Sequence, residues 1–388
     1  MQMKIDSITA APNEKELSGR LEKIRRRMVE QDLDIYVSYD PVNIFYLTNF
    51  FNYVHERPFI LVIGQEGAPV FVVPQLEKSH VRHRTGCELD LRVYPEYPAP
   101  EGKNWYDIYT SLIEENAKVG VESAMTLEIY DATPGNKVRT DVINEVRLIK
   151  TNFEIGKYFY ACQMLNLGHE KLLEVCRPGK TMIEINNTVS HHVMSKVITE
   201  LQAFNVLNTK IYGVVSPPSI SDDPHNFTNL FQMMEEGGPH VSIVAGQIDG
   251  CGVELERTFF LGSVPEAAET PFKVMMEARN LAYDRLKPGA HLGEIDVAVK
   301  KYFDKSGYLD KVLHRTGHGI GITGHEAPFL AEGYNREAEP GMMVSVEPGI
   351  YLPDLGGFRH SDTVLITEDG NVKLTSAPES LEDLIINF

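Results

Sequence analysis

Between Thr316 and Asp362 the chain gathers histidines, carboxylates and glycines into closely spaced patches. Thr316-Gly317-His318-Gly319-Ile320-Gly321 is followed by His325-Glu326, then by Val344-Ser345-Val346-Glu347-Pro348-Gly349, then by Gly357-Phe358-Arg359-His360-Ser361-Asp362. Glycine at this density lets backbone pass close to a ligand. Imidazole and carboxylate between them supply proton carriers or metal ligands. Upstream, Gly252 to Leu261 reads as a strand, and its two-residue period puts Glu254 and Glu256 on one face. Paired carboxylates are costly unless they share a metal, a proton or a cationic ligand. The plainer alternative is a strand edge with two solvated glutamates. His225 lies in Ser221-Asp222-Asp223-Pro224-His225-Asn226, a loop by composition. A loop histidine among carboxylates suits proton transfer near neutrality, although a solitary one is commonly only a surface residue.

These residues need a scaffold. Leu17, Leu21, Ile24 and Met28 recur at helical spacing and predict a helix over 16–32. Strand-like runs follow at 35–38, 59–63 and 69–74, and 96–104 reads as an exposed loop. Alternating strands and helices predict an α/β domain over 1–150. Thr151-Asn152-Phe153-Glu154 fits a capping box that opens a helix from about 152 to 176, stopped by Arg177-Pro178-Gly179. Residues 151–388 then form a second domain. It holds a weak internal repeat: Arg177-Pro178-Gly179 precedes Glu184-Ile185 as Lys287-Pro288-Gly289 precedes Glu294-Ile295. A duplicated helix–turn–helix unit in a two-halved α+β domain leaves such a trace.

Composition narrows the function. A net charge of −18 argues against nucleic acid or an anionic membrane as partner. Met1-Gln2-Met3-Lys4-Ile5-Asp6 lacks the apolar core of a signal peptide, and no apolar run is long enough to span a bilayer. Cys87, Cys162, Cys176 and Cys251 form no Cys-x-x-Cys pair. A cytoplasmic protein with free thiols is the expectation.

The run from Thr316 to Asp362 resembles the pita-bread family of prolidase, aminopeptidase P, methionine aminopeptidase and creatinase. So do Asp40-Pro41-Val42-Asn43-Ile44-Phe45-Tyr46-Leu47-Thr48, Arg147-Leu148-Ile149-Lys150 and Glu254-Leu255-Glu256-Arg257-Thr258. The resemblance spans nearly the whole chain. It implies an α/β N-terminal domain plus an α+β pita-bread C-terminal domain. The family's peptidases hold two metal ions with Asp, Asp, His, Glu and Glu. Aligned through Arg257-Thr258, His318, Glu347 and Arg359, those positions fall on Ile243, Glu254, His318, Glu347 and Ser361. Ile243 and Ser361 cannot bind metal. Creatinase, the metal-independent member, also lacks the aspartates and carries the same Leu-Glu-Arg-Thr string.

The resemblance therefore implies a creatinase-like hydrolase of a C–N bond in a small guanidino or zwitterionic compound, working without metal or other cofactor. Glu254 and Glu256 would face the cationic part of the substrate. His225 would activate water and protonate the leaving nitrogen, and His318 and Glu347 would orient the substrate. His325 is a further substrate contact. Arg57, in an Arg-Pro like that of the creatinase N-terminal domain, would bind a carboxylate across a homodimer, since its fork suits a carboxylate bidentately. His360 departs from both family patterns. It is either a substrate contact or, with Glu254, His318 and Glu347, a ligand of a single divalent ion. Two other readings stay open: a Xaa-Pro aminopeptidase or dipeptidase with an atypical metal site, and a non-catalytic pita-bread binding protein.

Overall fold

The computed structural model describes residues 5–201, 203–226 and 228–388. The chain divides into two compact units: residues 10–147 with Asn205–Asn208, and residues 5–9 with 148–204 and 209–388. Residues 5–9 thus belong to the second unit, where Ile8 covers Gly156 so closely that a Cβ there would meet its side chain at 2.7 Å.

The first unit is α/β. Its strands are β1 (Ile35–Ser38), β2 (Ile60–Gly64), β3 (Val70–Pro74), β4 (Asp90–Tyr94), β5 (Lys118–Val121) and β6 (Asn136–Arg139), in the order β4-β3-β2-β1-β5-β6. Its helices are α1 (Glu14–Glu30), α2 (Pro41–Thr48), α3 (Lys78–Arg84), α4 (Trp105–Thr110), α5 (Leu127–Ala132) and α6 (Val142–Arg147). Helix α1 starts two residues before the predicted position because Asn13 caps it, accepting from the Glu16 amide at 3.0 Å. It buries Leu17, Ile24 and Met28 on one face, as their spacing predicts.

The second unit opens with α7 (Asn152–Val175), whose first turn carries the predicted capping box between Thr151 and Glu154. Helix α8 (Met182–Glu200), strands β7 (Lys210–Ser216), β8 (Gly237–Ile248) and β9 (Cys251–Leu261), and helices α9 (Glu266–Arg285) and α10 (Leu292–Lys305) follow. Then come β10 (Gly317–Gly319), β11 (Glu326–Leu330), β12 (Met343–Val346), β13 (Gly349–Leu352), β14 (Gly356–Arg359), β15 (Ser361–Thr367), β16 (Gly370–Lys373) and β17 (Ile385–Ile386). Among the described residues one sheet runs β11-β10-β12-β15-β9-β8-β7, with β16 added to β15 and β17 to β9. Helices α7 and α8 pack on β9 and β7, and α9 and α10 on β12 and β11. The apolar core lies between helices and sheet, with Leu255, Val344 and Val364 in it.

The internal repeat is structural. Gly179 and Gly289 both take a left-handed φ, at 82° and 79°. Their amides donate to Met234 and Ala338, and each of the helices α8 and α10 starts beside an isolated bridge, Thr181 to Met233 and His291 to Glu337. Two helix–turn–helix units and their return strands build the two halves of the sheet. This is the pita-bread architecture.

Candidate active site

Strand β9 carries Glu254 and Glu256 on the face of the sheet away from the helices, and β8 sets Ala245 and Ile243 opposite them. A cleft of about 520 Å³ opens over this face. Among its lining residues are His225, Ile243, Glu254, Glu256, His314, Arg315, His318, His325, Glu347 and Arg359. Six of the eight residues expected from sequence to be catalytic or to bind substrate, His225, Glu254, Glu256, His318, His325 and Glu347, share this cleft.

His318 is held on β10, where Gly317 lies so close to β12 that a Cβ would meet the Ser345 carbonyl at 2.0 Å. Only glycine permits that approach. Asp296 on α10 takes the amide and hydroxyl of Thr316 at 2.9 and 2.8 Å, fixing the entry to β10. The Glu347 amide in turn donates to the Thr316 carbonyl at 2.8 Å. His318 Nε2 then lies 3.2 Å from Glu347 and 3.6 Å from Glu254, yet makes no hydrogen bond of proper geometry. The exposed His325 stacks on it, ring centres 3.7 Å apart. Burial would lower the pKa of His318, but Glu254 and Glu347 overcome it and lift it to about 9. His325 is lowered by burial and then by His318, with Arg315 adding to the effect. Burial would raise Glu347, but His318 outweighs it and brings the carboxyl down to about 2.

Glu254 and Glu256 face different partners. One oxygen of Glu254 accepts the hydroxyls of Ser361, at 2.7 Å, and Ser345. Glu256 is held bidentately by Arg359, from Nη2 at 2.9 Å and from Nε. Burial pushes the Glu256 carboxyl up, against the pull of Arg359. Arg359 Nη1 also donates to Tyr351 Oη at 2.8 Å, which leaves the tyrosine O–H for His314 Nε2 at 2.6 Å. Neither His314 nor Tyr351 was a sequence candidate. His314 lies four residues before His318 and Tyr351 four after Glu347, so each borders a motif without belonging to it.

Two expectations change. His360 is fully buried away from the cleft, edge-on to Phe272, with both ring nitrogens unpartnered. Residues 359 and 360 point to opposite sides of the chain, so Arg359 takes the cleft and His360 takes the core, as substrate contact and as metal ligand alike excluded. Glu256 has no oxygen free for a guanidino substrate, because Arg359 uses both. Arg57 sits in the first unit, bound to Glu56 and Glu96.

The side chains of the cleft offer a donor set for a metal ion. Glu254, His318 and His325 each offer a ligand atom, and these lie within 4.8 Å of one another. The unpartnered Nε2 of buried His318 completes a fit for one divalent ion. A second ion does not fit, since Ile243 is apolar and Ser361 is committed to Glu254.

The site and scaffold define a pita-bread hydrolase of C–N bonds. The profile of metallopeptidase family M24 matches residues 157–368, and that of the creatinase/prolidase N-terminal domain matches residues 20–149. The chain belongs to metallopeptidase family M24. The Xaa-Pro dipeptidase of Pyrococcus furiosus is 27% identical over 375 residues, covering 94% of this chain and all of that one. YkvY of Bacillus subtilis is 29% identical over 350 residues, covering 87% and 92%. The prolidase of Pyrococcus horikoshii superimposes with a TM-score of 0.82 at 22% identity, covering 94% and 99%. Family membership and the Glu254, His318 and His325 cluster overturn the expectation of a protein without cofactor. The relatives also weigh against the creatinase-like reading and toward its peptidase alternative. Among the described residues no helix is long and apolar enough to cross a membrane.

Proposed function

We propose that this chain is a dipeptidase of the Xaa-Pro type working with one divalent ion. The observation that carries this is the Glu254, His318 and His325 cluster, in which a buried imidazole nitrogen faces two carboxylates without a hydrogen bond. Those three residues would hold the ion. Such an ion polarises a carbonyl and acidifies water. Glu347, kept ionised beside His318, holds a cationic amino terminus. His225, exposed at the cleft, carries the proton to the leaving nitrogen. The Glu256–Arg359–Tyr351–His314 chain fixes the cleft wall and leaves His314 as a neutral hydrogen-bond acceptor. Two further parts of the proposal are a cytoplasmic location and a homodimer in which Arg57 serves the neighbouring chain. Mixing Arg57→Ala and His225→Ala chains tests the latter: restored turnover supports it, and a dead mixture with proven subunit exchange removes it.

The test of function is release of proline from Ala-Pro, assayed beside creatine. Proline release sensitive to chelator supports the proposal. Turnover of creatine alone, unaffected by chelator, rejects it.

A further inference from the structure

The cleft is lined by two arginines, and their situations differ. Arg359 is fully engaged by Glu256 and Tyr351. Arg315 has its guanidinium over the ring of Phe329, 4.5 Å from the centroid. Among the described residues no carboxylate pairs with it. A half-buried arginine, stacked on one side and unpaired on the other, is an anion site awaiting its ligand, since the fork is pre-organised for a carboxylate.

Its place relative to the cluster sets the ligand's length. Phe329 on β11 lies directly opposite His318 on β10. Directly opposite residues share a face and have Cβ atoms about 5 Å apart. The stacked guanidinium is therefore one residue's reach from the Glu254, His318 and His325 cluster. A dipeptide carries its terminal carboxylate one residue beyond the scissile carbonyl, about 3.8 Å between Cα atoms. A longer peptide presents a neutral amide there and leaves the arginine unpaired and desolvated, which is penalised.

We infer that Arg315 is the anchor for the free α-carboxylate of the substrate, and that it restricts the site to dipeptides. This rests on the proposed peptidase reading and adds the residue that sets substrate length. Arg315 is a specificity residue; the reacting groups do not depend on it.

The experiment compares Ala-Pro with Ala-Pro amide. The wild type should prefer the free acid by about 10–100-fold in kcat/KM, the usual worth of a hydrogen-bonded charge pair. In Arg315→Leu that preference should fall to near one, through KM rather than kcat, while Arg315→Lys keeps most of it. An equal rate on acid and amide in the wild type, or an undiminished preference in Arg315→Leu, overturns the inference. If the wild type cleaves neither compound, the peptidase reading has failed, and calorimetry with L-proline and L-prolinamide decides on Arg315 alone. Proline bound by the wild type but not by Arg315→Leu supports the anchor; equal affinity of the two proteins for proline rejects it. Matching thermal melts of the three proteins show that the variants fold.

Discussion

Replacing Arg359 by Met removes the only cation paired with the Glu256 carboxylate among the described residues, and the cost follows from burial. Glu256 is 5% exposed and Arg359 3%. Left alone, the carboxylate either stays charged, at about 3–5 kcal/mol for a broken buried pair, or takes up a proton. Protonation at pH 8 costs about 5 kcal/mol for a group whose unfolded pKa is about 4.3, and about 2.3 kcal/mol at pH 6. The sign is that of a raised acid: stability is intact below the unfolded pKa and is lost as pH rises toward the folded one. Arg359→Met should thus lose about 4–5 kcal/mol at pH 8 and about 2 kcal/mol at pH 6 in urea unfolding of the C-terminal unit. The double variant Glu256→Gln/Arg359→Met should recover most of the loss, because no buried charge is left. A deficit below about 1 kcal/mol, or a double variant no better than the single one, would refute the reasoning.

The buried Asp362 pairs with Arg257 at 3.0 Å and with Arg279. Burial would raise its pKa, but Arg257 and Arg279 outweigh that and lower it. Its stabilisation is then present above the ordinary carboxylate pKa and lost as pH falls through the lowered one; Asp362→Asn should remove about 3–5 kcal/mol at pH 7 and flatten the acid limb of a stability profile. An unchanged acid limb would show that the network does not carry this charge. His225→Ala should lower kcat on Ala-Pro by about 100-fold, with unfolding midpoints unchanged because the side chain is exposed. Turnover within a few-fold of wild type would take His225 out of the mechanism.

Local signals in the sequence were sufficient for part of the backbone. The capping box at Thr151, the proline–glycine stops before α8 and α10, and the alternation along β9 each act within a few residues, so they read directly. The cleft was legible where glycine and histidine cluster, at His318 and His325. The pairings inside it were not. Arg359 and Glu256 are joined only by the β14 and β9 packing, and Ser361 meets Glu254 only because β15 lies beside β9. His360 misled because a residue's side of the chain depends on where β14 ends and β15 begins, which sequence alone leaves open. Creatinase-like absences at Ile243 and Ser361 suggested that no metal binds; the nearness of His325, just before β11, to His318 on β10 supplies a third candidate ligand.

The most direct test of the one-ion account is a titration of chelator-stripped protein with Mn²⁺ while proline release from Ala-Pro is followed. Activity should rise in proportion to added metal and break at one equivalent per chain, and His318→Ala should stay flat. Activity indifferent to metal, or a break at two equivalents, contradicts the account.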